Sequence, residues 1–134
     1  MDRPREELIR GQITRAKEKL GAARSLLAAG FADDAISRAY YTLFHAASAV
    51  LAAEGIHVES HGALVAMFGL HLVKPGKIAR RFGRILSKLK DEREGGDYDI
   101  FSGLDSDDAE RAVRDAEAFL EEMSRYLRET HGIV

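Results

Sequence analysis

Residues 37–45, Ser-Arg-Ala-Tyr-Tyr-Thr-Leu-Phe-His, place an arginine, two tyrosines and a histidine within one short stretch. At 3.6 residues per helical turn, Arg38, Tyr41 and His45 fall on a polar stripe beside an apolar face. An arginine can bind a phosphate, and a histidine can exchange a proton near neutral pH. Because an unpaired buried cation is costly, we expect Arg38 and His45 to meet groups on another helix or subunit.

A second segment with residues that could bind a phosphate or exchange a proton is 91–99, Asp-Glu-Arg-Glu-Gly-Gly-Asp-Tyr-Asp. The two glycines predict a sharp turn that brings Asp97 and Tyr98 back towards Arg93. An arginine can hold a phosphate in a fork while a nearby polar group handles a proton. A structural corner made by an Arg93–Asp97 pair at a helix end is an equal alternative.

Charge is spread unevenly along the chain, although the net charge is only −2. Residues 74–93 carry eight basic and two acidic side chains, whereas residues 94–134 carry four basic and twelve acidic ones. One face of the predicted fourth helix collects five cations: Lys77, Arg80, Arg81, Arg84 and Lys88. This face is either a strip that binds the phosphates of a nucleic acid or a solvated surface paired with the acidic fifth helix.

The elements that must position these residues are helices. Apolar periodicity and the turn residues predict an all-α chain of about five helices, and the heptad seam of the first helix favours antiparallel bundle packing. The predicted helices run from Pro4 to Gly30, 32–54, 60–71, 77–93 and 106–129, with Gly95-Gly96 ending the fourth. We expect the second helix to be central, and its polar stripe to face Arg93 and Asp97 across a cleft between helices two and four.

The composition narrows the class of protein. The 134 residues, with 46% hydrophobic and 31% charged residues, fit one globular domain over 1–134. There is no cysteine, and the N-terminus lacks the apolar core of a signal peptide, so we expect a cytoplasmic protein without a membrane segment. His57 and His61 have the spacing of metal ligands, but a helix start at Ser60 separates them, and we expect neither a metal nor a cofactor.

Three separated motifs together resemble the small prokaryotic branch of the HEPN-domain superfamily, over roughly residues 10–128. The first motif is Ser-Arg-Ala-Tyr-Tyr-Thr-Leu-Phe-His-Ala-Ala at 37–47. The others are His61-Gly62 with Phe68-Gly69 and Val73-Lys74-Pro75-Gly76, and finally Arg93 with Asp97-Tyr98.

The resemblance implies an all-α, up-and-down antiparallel helical bundle that commonly dimerises. Many HEPN domains are metal-independent ribonucleases, often toxins paired with a small nucleotidyltransferase. Their catalytic arginine is followed after four to six residues by a histidine, and the two act on the RNA 2′-hydroxyl and phosphate. Arg93 takes the arginine position, but Tyr98 occupies the histidine position. With an ordinary pKa near 10, tyrosine is a poor general base at neutral pH, which counts against cleavage and leaves binding untouched.

Arg38 and His45 are also separated by six residues and so fit the arginine–histidine spacing of the family. They lie on the second helix, however, and not where the family carries its catalytic pair. They either join Arg93 at one cleft, or Arg38 pairs with a carboxylate while His45 is a satisfied core histidine. The sequence thus predicts a homodimeric HEPN module that binds RNA or a nucleotide, acts with a nucleotidyltransferase partner and resembles a toxin–antitoxin component. The alternatives are a ribonuclease with a degenerate motif at Arg93, Asp97 and Tyr98, and a helical protein-interaction module.

Overall fold

The computed structural model describes residues 1–100 and 102–133, apart from the side chain of Tyr98. Over this part of the chain the protein is an all-α bundle without strands, as predicted. Five α-helices and a short π-helix follow one another: α1 (Arg3–Ala28), α2 (Ala32–Ala53), α3 (His61–Phe68), the π-helix (Gly69–Val73), α4 (Arg80–Tyr98) and α5 (Ser106–His131).

Helix α2 is the centre of the bundle and packs against α1, α3, α4 and α5. Its buried face is rich in alanine, which lets the neighbouring helices approach closely: Ala35, Ala39, Ala46, Ala47, Ala49 and Ala53. Larger side chains between them, such as Tyr40 and Leu43, are fully buried. The expectation of a central second helix is therefore confirmed.

Polar caps fix where the helices begin. The Asp2 carboxylate accepts a hydrogen bond from the Arg5 backbone N–H at the start of α1, and the Ser60 hydroxyl does the same for Ala63 at the start of α3. Asp105 and Asp108 form a reciprocal capping box at the start of α5. The cap at Ser60 determines the position of His61, the first residue of α3.

Helix α4 differs from its predicted bounds at both ends. It begins at Arg80, so Lys77 lies before it, and it continues through Gly95-Gly96 to Tyr98. Helical bonding persists across the glycines, since the Asp99 N–H donates to the Gly95 carbonyl at 2.9 Å. A Cβ at Gly96 would sit 3.5 Å from the Asp33 side chain, so the second glycine lies directly against the start of α2. The predicted glycine break is wrong because tertiary packing outweighs the low helix propensity of glycine.

The third predicted helix is divided in two. α3 ends at Phe68, and the π-helix continues the chain from Gly69 to Val73. Leu64, Phe68 and Leu72 are buried as the apolar periodicity predicts. The predicted turn at Lys74-Pro75-Gly76 is confirmed, with Gly76 at φ +81°, a conformation that favours glycine.

A partly buried carboxylate ties the end of α2 to the end of α5. Glu54 accepts hydrogen bonds from the Tyr126 hydroxyl at 2.6 Å and from Lys77 Nζ at 3.2 Å, and His131 Nε2 lies 3.0 Å from its other oxygen. Burial raises the pKa of Glu54, but the hydrogen bonds from Tyr126 and Lys77 and the nearby positive charges outweigh it, so the pKa is lowered overall. The ionised carboxylate is thus the form that stabilises the fold.

Tyr126→Phe should lower the free energy of unfolding by about 1–3 kcal/mol, because it removes a donor from the partly buried Glu54. Since the pKa of Glu54 is lower in the folded state, its contribution is present above the ordinary value of 4.5 and is lost as pH falls through the folded value. Urea unfolding at pH 7 and at low pH measures both effects. Tyr41→Phe is the control, because the Tyr41 hydroxyl makes no hydrogen bond within the described part of the chain. Equal stability of the two variants at pH 7 would contradict the role given to Glu54.

Candidate functional site

Arg93 is a nearly buried cation between α2 and α4, with 7% of its surface exposed. Its guanidinium carbon lies 5.2 Å from the centre of the Tyr40 ring and 5.6 Å from the centre of the Tyr41 ring. Its Nη1 donates to Asp97 Oδ2 at 3.1 Å. Cation–π attraction and the ion pair together compensate for the loss of water around the guanidinium.

A cluster of four rings adjoins this cation, contributed by Tyr40, Tyr41 and Phe44 of α2 and by His61 of α3. The centre of the His61 ring lies 4.8 Å from that of Phe44, 5.5 Å from that of Tyr40 and 6.0 Å from that of Tyr41. The Tyr40 oxygen and His61 Nδ1 are 2.6 Å apart, a hydrogen-bond distance. Tyr40 is buried and the other three rings are half-buried, so the cluster reaches from the core to the surface.

The electrostatics of this cluster favour neutral rings at neutral pH. Burial, followed by the positive charges of Arg93 and Lys90, lowers the pKa of His61 below its ordinary value of 6.5, against an opposing effect of Glu94. Burial raises the pKa of Tyr40 to about 12, although Arg93 acts in the opposite direction. His61 is therefore an uncharged imidazole hydrogen-bonded to a protonated phenol.

The predicted stripe Arg38–Tyr41–His45 is divided among three environments. Tyr41 does meet Arg93, but Arg38 is exposed, so its predicted burial is wrong. His45 faces α1, where its Nδ1 lies 2.7 Å from Gln12 Oε1. The predicted cleft that brings Arg38 and His45 to Arg93 is therefore corrected, because a helix surrounded by several neighbours directs adjacent positions of one stripe to different partners.

The pair Arg93–Asp97 forms as predicted, but through a different backbone. Asp97 lies one helical turn after Arg93 on α4, and the i, i+4 spacing brings the two side chains together without a glycine turn. Asp97 is exposed and Arg93 is not, so the carboxylate shields the outer side of the guanidinium. The side chain of Tyr98 is outside the described part of the structure, and its predicted role stays a prediction.

The predicted basic strip separates into paired and unpaired cations. Lys77 lies before α4 and pairs with Glu54, and Lys88 lies 3.9 Å from Glu92 of its own helix. Arg80, Arg81 and Arg84, hereafter the cationic face, are exposed. No carboxylate of the described residues lies within 4.0 Å of their nitrogens.

The acidic helix α5 does not neutralise the cationic face. Its carboxylates pair with arginines of α5 itself and of α1, as in Arg111–Asp108, Arg125–Glu122 and Arg24–Glu117. The alternative expectation, that the α4 cations pair with α5, is therefore wrong within the residues that the structure describes. A groove of about 440 Å³ adjoins the cationic face between the π-helix and α4, with Val73 on one side and Arg80, Arg84 and Ser87 on the other.

A sequence model of the HEPN domain matches residues 9–126. The chain belongs to the HEPN family. A protein of Methanocaldococcus jannaschii named "Putative toxin MJ0605" is 35% identical over 93% of this chain and 92% of its own length. A "UPF0332 protein" of Thermotoga maritima is 30% identical over 93% of this chain and 95% of its own length. A "UPF0332 protein" of Pyrococcus horikoshii is 40% identical over 69% of this chain and 64% of its own length.

In this HEPN chain the residue that sequence reasoning undervalued is His61. The sequence pattern offers it as a metal-ligand position with His57 and as part of the His61-Gly62 motif, whereas its ring bonds to Tyr40 and is influenced by the charge of Arg93. The signal that was present is the His61-Gly62 element of the family motif, directly after the N-cap Ser60. Among the described residues no helix is both long and apolar enough to cross a lipid bilayer.

Arg93→Ala should destabilise this HEPN domain by roughly 2 kcal/mol or more, because it removes a desolvated cation from two aromatic rings. Arg38→Ala removes the same side chain from an exposed position of α2 and should change the free energy of unfolding by less than about 0.5 kcal/mol. Chemical denaturation of both variants measures the difference. A larger loss for Arg38→Ala than for Arg93→Ala would show that the burial of the two arginines is assigned the wrong way round.

The pKa of His61 should lie below 6.5 in the parent protein and rise towards that value in Arg93→Met, which keeps most of the side-chain volume but removes the charge. NMR titration of the imidazole resonances measures both values. His45, whose pKa is lowered by burial and by Lys19 and Arg15, is the internal control, and its titration should not change. An unchanged His61 titration in Arg93→Met would contradict the proximity of the two groups.

Proposed function

We propose that this chain is an RNA-binding HEPN module, the toxin-like member of a two-protein system. The observation that carries the proposal is the cationic face: three exposed arginines for which the described structure provides no carboxylate. Such a surface remains available to a polyanion, and phosphate contacts dominate the affinity of proteins for nucleic acids.

Two arginines of the cationic face lie side by side on α4, since Arg80 and Arg84 are one turn apart, about 6 Å along the helix axis. Arg93 lies nine residues after Arg84, which places it on the opposite side of α4, against the tyrosine rings of α2. The ring cluster beside Arg93 is half-exposed, and aromatic rings are the groups on which unpaired bases stack. In this proposal the cationic face binds phosphates, and the ring cluster is a separate surface suited to an unpaired base.

The toxin-like role is supported by the name of the Methanocaldococcus relative, which matches this chain over nearly its whole length. The family resemblance adds a homodimer and a small nucleotidyltransferase as the expected partner protein. In this proposal the partner restrains the activity of the HEPN module, and two copies of the chain present two ring clusters to the RNA. Residues Arg93, Asp97 and Tyr98 remain the proposed functional motif, with Tyr41 as the cleft residue that the structure brings to Arg93.

A second candidate function is RNA cleavage, and one observation favours it. The imidazole of His61 and the Arg93 cation both lie against the Tyr40 and Tyr41 rings, and Arg93 helps to lower the pKa of His61, a combination suited to proton transfer at a phosphate ester. A protein-interaction module without RNA is the third candidate.

The parent protein should bind fluorescein-labelled single-stranded RNA with an affinity that falls steeply as salt is raised. Arg80→Ala with Arg84→Ala should weaken binding and reduce the slope of log affinity against log salt by about 1.4, the expected loss for two contacts to a single strand. Fluorescence anisotropy from low to high salt, with EDTA present, measures both quantities.

The matched control is Arg3→Ala with Arg24→Ala, which removes two exposed arginines of α1, each in an ion pair with a carboxylate. This control should bind RNA as the parent does. Equal weakening by the two double variants would show that only net charge matters, and the absence of RNA binding at any salt would leave the interaction module.

A further inference from the structure

A groove of about 340 Å³ lies between the first half of α1 and the last turns of α5. The two helices run antiparallel here, since Arg24, which follows the groove on α1, bonds to Glu117, which precedes it on α5. Helices α1 and α4 do not pack against each other within the described residues, so the groove is separate from the cationic face. Its volume falls within the range of small-molecule sites in proteins.

The floor of the groove is apolar and held in place by the end of α5. Leu127 is buried, and Ile13 of α1 packs against the hydrophobic core. Helix α5 ends at Gly132, whose φ of +67° turns the chain so that the Ile133 N–H donates to the Leu127 carbonyl at 3.0 Å. This helix ending folds Ile133 back onto the last turn, where its side chain is buried. The floor is therefore an ordered apolar surface that can accept an aliphatic group.

The walls of the groove carry positive charge and hydroxyl groups. Lys17 on α1 and Arg128 on α5 are exposed, and no carboxylate of the described residues lies within 4.0 Å of their nitrogens. Thr14 and Ser124 add one hydroxyl from each helix. Two cations and two hydroxyls on facing walls are the donors that an oxyanion requires.

The charge of the groove is opposite to that of the helix beside it. Helix α5 carries eight acidic and four basic residues, yet the charged side chain that it contributes to the lining is that of Arg128. Helix α1 contributes Lys17 and also Arg10, which pairs with Glu6 at 2.8 Å. Because no acidic side chain of the described residues lines the groove, an anion that enters it meets cations, hydroxyls and apolar groups.

We propose that this groove binds a small amphipathic anion, which consists of an oxyanion head on an aliphatic chain. The head lies between Lys17 and Arg128 and accepts hydrogen bonds from them and from the hydroxyls of Thr14 and Ser124. The aliphatic chain lies on the apolar floor. A carboxylate and a phosphate monoester share this chemistry, since both present oxygens that a guanidinium and an ammonium can bind.

The length of the groove suits an aliphatic chain of medium length. Arg10 and Lys17, which lie near its two ends on α1, are seven residues apart, about 10 Å along the helix axis. Each methylene group that leaves water for the floor strengthens binding by up to roughly fourfold. Affinity should therefore rise with the length of the chain until the floor is covered.

The test is an NMR titration of the isotope-labelled full chain with octanoate and, separately, with octyl phosphate, which distinguishes the two kinds of head. At least one of the two should shift the amide signals of Thr14, Ser124 and Ile133 in a saturable way. The short acid butanoate should bind at least about tenfold more weakly than octanoate, because it covers less of the floor. Octanol, which has the same chain without a charge, should also bind at least about tenfold more weakly.

Lys17→Met with Arg128→Met removes both charges and keeps much of each side chain. Affinity for the bound probe should fall at least about tenfold, whereas the melting temperature should stay near that of the parent because both side chains are exposed. The matched control is Arg3→Met with Lys74→Met, which removes an exposed arginine and an exposed lysine outside the groove and should bind the probe as the parent does.

The groove and the cationic face should respond independently. The Lys17→Met with Arg128→Met variant should keep the RNA affinity of the parent, and Arg80→Ala with Arg84→Ala should bind the probe as the parent does. Three results would overturn the inference: no saturable shift with either probe at millimolar concentration, equal binding of octanol and octanoate, or equal weakening of probe binding by the groove variant and its matched control.

Discussion

A cation with only 7% of its surface in contact with solvent must be held by the groups around it, and for Arg93 the described residues include two tyrosine rings and the Asp97 carboxylate among these groups. The arrangement joins α4 to the central helix α2 and sets the electrostatic environment of the neighbouring His61. Because the guanidinium is desolvated, its field acts at short range with little screening. The proposed functional site of this HEPN domain is therefore centred on a nearly buried arginine, and the half-buried rings are its accessible part.

The rest of the charge distribution supports this arrangement. The acidic side chains of α5 pair largely with arginines of α5 and α1, which leaves the cationic face of α4 exposed. A net charge of −2 thus conceals an exposed cationic surface, which is the surface that we propose for RNA binding. Two other cations of this region are paired with carboxylates. Lys77, which lies before α4, pairs with Glu54, and Lys88, near the middle of α4, lies close to Glu92. Position along the chain, more than the total number of cations, determines which of them remain available to a ligand.

Sequence periodicity predicts the helices and the buried faces well, because both depend on local spacing and on the removal of apolar side chains from water. Prediction from periodicity fails where a contact with another helix determines the local structure. Gly95-Gly96 continues a helix because Gly96 packs against Asp33, and His45 turns to Gln12 because α1 covers that side of α2. His61 could not be assigned to Arg93 from the sequence, since thirty-two residues separate them and only the packing of α3 and α4 around α2 brings them together.

A double-mutant cycle between Arg93 and Tyr41 tests most directly whether the cation holds the site together. Urea unfolding of Arg93→Met, of Tyr41→Leu and of the combined variant gives the coupling free energy between the two side chains. If the guanidinium lies over the ring as described, the coupling should be about 1 kcal/mol or more. Effects that add within roughly 0.3 kcal/mol would mean that the two side chains do not interact, and the site would have to be rebuilt on a different contact.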